Sequence, residues 1–239
     1  AAQPGVMTRE HVMPAWMRQQ LRAGGYFGYS PVRKRHPFGG EAVVGDVCAG
    51  CNSGRLSELD DAARRWLTSE HPSWAVVRTE LLPLVARWAA KLAFNCHRLT
   101  VAEGTDYGEP HMPSDTGAWI LGATGVRTMA VCLARVPEGH RTVELVGISH
   151  FRNPRLPLIL VLLHGYLLYV AWDHPEFPEE NAASIASEFC ARMPAVLLRD
   201  SYDDPSLELQ VARHPEWTDP EPLKDPAFRS WIRQKAKPI

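Results

Sequence analysis

The chain has 239 residues, a formal net charge of -1, 45% hydrophobic and 22% charged residues. That balance excludes a disordered chain, a fibrous one and a wholly basic nucleic-acid coat protein, and the length leaves ample core for the two domains expected here. Five cysteines, with one Cys-x-x-Cys pair and Cys96, Cys132 and Cys190 scattered, do not form a secreted disulfide framework, so a reducing cytoplasm is the expected compartment.

In chain order, residues 8 to 12 read as a short strand, and Pro14 opens a helix with proline in its first turn. Residues 17 to 40 carry Arg18, Arg22, Arg33, Lys34 and Arg35 with no acidic residue, which reads either as an anion-binding patch or as a solvated basic loop. Glycines and prolines from Gly24 to Gly40 mark that stretch as irregular, and Glu41 to Val47 reads as a second strand.

After Cys48-Ala49-Gly50-Cys51, the apolar residues Leu56, Leu59, Ala62, Ala63, Trp66 and Leu67 recur at three- and four-residue spacing, the pattern of an amphipathic helix. Leu81, Leu84, Val85, Trp88, Leu92 and Cys96 predict a second helix from about Thr79 to His97. Lys91 falls on it one turn from Trp88 and reads as an exposed lysine or as one approaching a site, the exposed reading being the ordinary one.

Strands are expected at 117 to 123, 127 to 136, 143 to 151, 156 to 163 and 166 to 172, joined mostly by hairpin-length connections into an antiparallel sheet. The apolar stretch from Leu156 to Trp172 holds Pro157 and is interrupted by His164-Gly165, so it reads as two strands and not as a membrane span. A helix is expected from Asn181 to Arg192. From Asp200 to Pro226 there are eight acidic residues, two basic ones and five prolines, which predicts an extended or mobile tail that ends basic.

The chemistry-bearing residues fall in three groups. They are Glu10-His11-Val12-Met13-Pro14-Ala15-Trp16, Cys48-Ala49-Gly50-Cys51-Asn52-Ser53-Gly54-Arg55-Leu56-Ser57-Glu58-Leu59-Asp60, and Arg87-Trp88-Ala89-Ala90-Lys91. A histidine beside a carboxylate can take a proton from water, and glutamate and asparagine oxygens suit a hard cation. Cys48 and Cys51 have the spacing of half a tetrahedral zinc site.

Over residues 8 to 100 this order of motifs resembles the bacterial HNH endonucleases of the ββα-metal type, in the subgroup with Glu-His-Val-x-Pro-x-Trp and Cys-x-x-Cys-Asn-x-Gly-Trp-Met-Ser-x-Leu-Glu. The resemblance implies a ββα-metal nuclease module over 1-70; with the patterns read further along, the expectation is an α+β protein with a helix and an antiparallel sheet over 71-199 and a proline- and acid-rich tail over 200-239. It implies His11 as general base, with Glu10 and Asn52 holding Mg²⁺ or Mn²⁺, for metal-dependent hydrolysis of DNA. It also implies structural zinc at Cys48 and Cys51. In relatives a second Cys-x-x-Cys precedes the Glu-His motif, whereas residues 1 to 7 here hold no cysteine, so either the other zinc ligands are supplied from upstream or the knuckle has lost its zinc.

Arg55 stands where the family has tryptophan, and Asp60 where it has glutamate. Arg33, Lys34, Arg35 and Arg55 are the candidate DNA-backbone contacts. The alternative reading is a catalytically inactive HNH-derived module that binds nucleic acid or protein. Residues 100 to 239 carry no motif, which leaves a protein partner open; no membrane partner is expected.

Overall fold

The computed structural model describes residues 6–17, 19, 43–69, 76–102, 115–123, 129–135, 144–150, 157–163, 166–173, 181–192 and 195–209. It is a mixed α+β arrangement with antiparallel sheets.

Strand β1 (Met7–His11) pairs antiparallel with β2 (Val43–Cys48), and between them residues 15–17 are helical just after Pro14, where proline needs no amide partner. From β2 the chain passes through a helical turn, Ala49–Cys51, and a π-helical stretch, Asn52–Leu56, into helix α1 (Ser57–Thr68). The expected periodicity is realised, because Leu59, Ala62, Ala63, Trp66 and Leu67 form its buried stripe. A short strand β3 (Val76–Arg78) then leads into the long helix α2 (Leu82–Ala102).

The run at 117 to 123 is a correction to the sequence reading: instead of a strand it holds helix α3 (Thr116–Ile120). Gly122 has φ 100°, donates to the Trp119 carbonyl at 2.9 Å, and is followed by Ala123 donating to the Ala118 carbonyl at 2.9 Å. Those two bonds make a Schellman closure, which needs a residue at positive φ and takes glycine there.

The main sheet contains β4 (Met129–Arg135), β5 (Glu144–His150), β6 (Pro157–Leu163), β7 (Tyr166–Trp172) and, after helix α4 (Ala182–Arg192), β8 (Ala195–Leu197). Its order is β5-β6-β7-β4-β8, all pairs antiparallel. Cross-strand neighbours Met129↔Trp172, Val131↔Val170 and Leu133↔Leu168 turn one face into the main core. Alternate residues of the other face meet α4, where Tyr169 stacks on Phe189 with ring centroids 4.0 Å apart. Because both faces are covered, β4 and β7 read as unbroken apolar runs.

The tail, expected to be extended or mobile, docks over its first residues. Strand β9 (Ser206–Glu208) pairs with β3, Thr79 donates its amide to the Pro205 carbonyl at 3.1 Å, and its hydroxyl donates to the Asp204 carbonyl. The rest of that segment lies outside the described residues. Among the described residues the hydrophobic core is one cluster from Val12 and Val44 through Trp66 and Trp88 to Val170 and Leu209. Among the described residues, no helix is long and apolar enough to cross a membrane.

Candidate functional site

The register of the β1–β2 hairpin determines where the Glu-His pair sits. Met7↔Cys48 and Thr8↔Val47 are in register, then the pairing shifts before Glu10↔Val44 and His11↔Val43. Such a bulge re-aims the side chains that follow it. Glu10 is directed inward and is 5% exposed.

Its partner is Lys91 of α2, whose ammonium lies 2.6 Å from Glu10 Oε1 and 2.8 Å from Asp60 Oδ1 of α1. Trp88, one turn earlier on α2, donates its indole N–H to the same Asp60 oxygen at 3.1 Å. Trp16 stacks on Trp88 with centroids 5.9 Å apart. Residues from all three sequence motifs therefore meet in one buried cluster that joins β1, α1 and α2. The surface reading of Lys91 is corrected: the residue is 1% exposed.

Formal charges in the cluster do not cancel. Glu10 and Asp60 bring two negative charges, Lys91 brings one positive, and the surplus is one negative charge in a largely dry place. Burial pushes the Asp60 carboxyl above its ordinary pKa, and the Glu10 carboxylate pushes it further, while Lys91 and the Trp88 N–H hold it down.

Asn52, the other residue assigned to a cation, lies at the beginning of the π-helical stretch. Its amide nitrogen donates to the Thr8 hydroxyl at 3.1 Å and to the Arg9 carbonyl at 3.0 Å. Thr8 in turn donates to the Val47 carbonyl at 3.1 Å. The second motif is thus fastened to the first one residue before Glu10. Fastening the nitrogen leaves the Asn52 side-chain oxygen as its acceptor atom.

His11 is half-buried, and its Nε2 atom is fully enclosed. Cys48 caps the turn that follows β2, its sulfur accepting the Cys51 amide N–H at 3.1 Å. The Cys51 thiol and amide, both directed at that sulfur, lower the Cys48 pKa, while Cys48 raises that of Cys51. Arg55 is exposed and pairs with Glu58 at 3.4 Å across the helix surface. Arg33, Lys34 and Arg35 lie outside the described residues.

Carboxylate and side-chain amide oxygens, the donors that Glu10 and Asn52 offer, are in chemistry of the kind that suits Mg²⁺ with several waters. A structural zinc is different. Cys48 and Cys51 supply half of a tetrahedral set, and among the described residues no group of three or more His, Cys, Asp and Glu side chains is placed to hold a metal.

Sequence reasoning missed the Lys91 cluster. Its signal was present: one lysine stands within Val85, Ala86, Trp88, Ala89, Ala90, Leu92 and Ala93, all of them buried. A lysine inside such a run has to be paired. No family model matches the chain, and no curated protein and no solved structure matches it.

Proposed function

We propose that the chain is a metal-dependent endonuclease of the HNH type that hydrolyses phosphodiester bonds of DNA. The supporting observation is the pair of bonds from Asn52 to Thr8 and Arg9, which brings residues 43 and 44 positions apart into contact beside Glu10 and His11. Glu10 and Asn52 would hold the cation, and a divalent ion there supplies charge neutralisation for the phosphate and the departing oxygen.

His11 accepts the proton of the attacking water, the general-base role open to a neutral imidazole nitrogen. The new phosphorus–oxygen bond replaces the bond to the leaving sugar oxygen. Lys91 and Asp60 act at one remove by fixing the Glu10 carboxylate, while Asn52, besides its oxygen, ties down the strand that carries Glu10. Conversion of supercoiled plasmid to nicked and linear forms with Mg²⁺ or Mn²⁺, against a chelator control, tests the proposal; no conversion with any divalent ion would overturn it.

A second reading is favoured by a different observation. Glu10 Oε1 is committed to Lys91 at 2.6 Å with both side chains buried, and His11 Nε2 is enclosed. In that reading the motif residues brace a noncatalytic module that binds nucleic acid or protein. Retention of DNA on the protein in a gel-shift experiment without any cleavage would select it.

A further inference from the structure

Cys132 and Cys190 lie far from the Glu10 cluster, and the proposed hydrolysis uses neither. Cys132 is in the inner strand β4, 0% exposed, on the sheet face under α4. Cys190 is in the last turn of α4 and half-buried. Their sulfurs are 3.4 Å apart although the residues are 58 positions apart in sequence. The stack of Tyr169 on Phe189, with planes 10° apart, holds the end of α4 flat against the sheet and so keeps the two thiols facing each other.

We infer that Cys132 and Cys190 form an oxidisable dithiol whose oxidant is a peroxide. Cys190 reacts first: it is the more exposed of the two, and the hydrogen bond of the Cys132 thiol lowers its pKa against the opposing effect of burial. The Cys190 thiolate attacks one peroxide oxygen, the oxygen–oxygen bond breaks, and Cys190 becomes a sulfenic acid while water or an alcohol departs. The Cys132 sulfur then attacks the Cys190 sulfur, the sulfenic oxygen leaves as a second water, and a disulfide remains. Two thiols are oxidised and one peroxide is reduced. The sulfurs must close from 3.4 Å to the bond length of about 2.05 Å, a movement within reach of a side chain in a helix's last turn. The bond would tie α4 to the inner strand β4.

The test treats the full chain with hydrogen peroxide, alkylates remaining thiols under denaturing conditions, and maps the digest by mass spectrometry. The expected result is one cross-linked species joining the Cys132 and Cys190 peptides, lighter than the two thiol peptides by two hydrogens and removed by dithiothreitol. It persists in a Cys48→Ser, Cys51→Ser double variant and disappears in Cys190→Ser, where Cys132 stays alkylatable. If that variant does not fold, the wild-type map decides alone. Cys190 as a sulfinic or sulfonic acid beside an alkylated Cys132, a cross-link of either to another cysteine, or both thiols unreacted would each overturn the inference.

Discussion

The Lys91 ammonium lies 2.6 Å from Glu10 Oε1, with side chains 2% and 7% exposed, so the residue next to His11 is tied to the middle of helix α2. The same ammonium reaches Asp60 at 2.8 Å. Three elements are thereby held at one point, and the placement of β1 depends on it.

Removing the lysine charge leaves the buried Glu10 and the partly buried Asp60 carboxylates with no counter-ion among the described residues. Lys91→Met keeps most of the volume and is expected to destabilise the fold by about 3–5 kcal/mol, the usual cost of breaking one side of a buried ion pair. Urea denaturation followed by tryptophan fluorescence reads this directly, because Trp88 and Trp16 stack beside the cluster. A loss below about 1 kcal/mol, typical of exposed pairs, would show that the cluster is open to water.

Asp60 gives the cluster a pH dependence of definite sign. Its carboxyl is raised above the ordinary 3.8, first by burial, so the folded chain keeps a proton that the unfolded chain has released. Stability contributed by this group is therefore full below the ordinary carboxylate pKa, falls as pH rises towards the raised folded value, and stays low above it. Asp60→Asn removes that slope while keeping an acceptor for Lys91 and Trp88. Urea midpoints measured across the acid range should fall less steeply with rising pH in the variant than in the wild type; identical profiles would refute the assignment.

Trp88→Phe is expected to keep an aromatic ring against Trp16 while losing part of a fully buried ring and the N–H that donates to Asp60 at 3.1 Å. The cost should exceed the roughly 1 kcal/mol of the bond alone, because a cavity is added. In combination with Asp60→Ala, which takes away the acceptor, the two effects should be less than additive, since both remove the same bond; a double-mutant cycle measures that coupling.

Much of the architecture was legible because its signals are local. The amphipathic stripe of α1, the apolar α2, and the paired runs at Met129–Arg135 and Tyr166–Trp172 all follow from spacing and composition. The misreadings have different causes. Trp119 and Ile120 sit in an apolar run short enough for a strand, and the helix is decided by the closure at Gly122, which a count of apolar residues does not weigh. Ser206–Glu208 belongs to a sheet only through Val76–Arg78, a partner more than a hundred residues away that no local pattern announces. Lys91 was misjudged because type alone places lysine outside, whereas Glu10 and Asp60 reach it only once three segments have folded together.

Asn52 separates a structural tie from a ligand. Asn52→Ala should cost about 1 kcal/mol of stability through the lost bonds to Thr8 and Arg9, and should abolish cleavage. Asn52→Asp retains a ligand oxygen but loses the donor, so the proposed enzyme should bind Mn²⁺ while its cleavage falls. Calorimetric Mn²⁺ titration of both variants distinguishes the two roles; equal affinity in wild type and Asn52→Ala would remove Asn52 from the cation site.

The most direct measurement is the rate of plasmid cleavage in Mg²⁺ or Mn²⁺ by the wild type and by His11→Ala, with folding of both checked by circular dichroism. A general base contributes about 100- to 10,000-fold, so the proposed mechanism expects a loss of that size in the variant with its fold unchanged. Equal rates, or no cleavage by the wild type with any divalent ion, would contradict it.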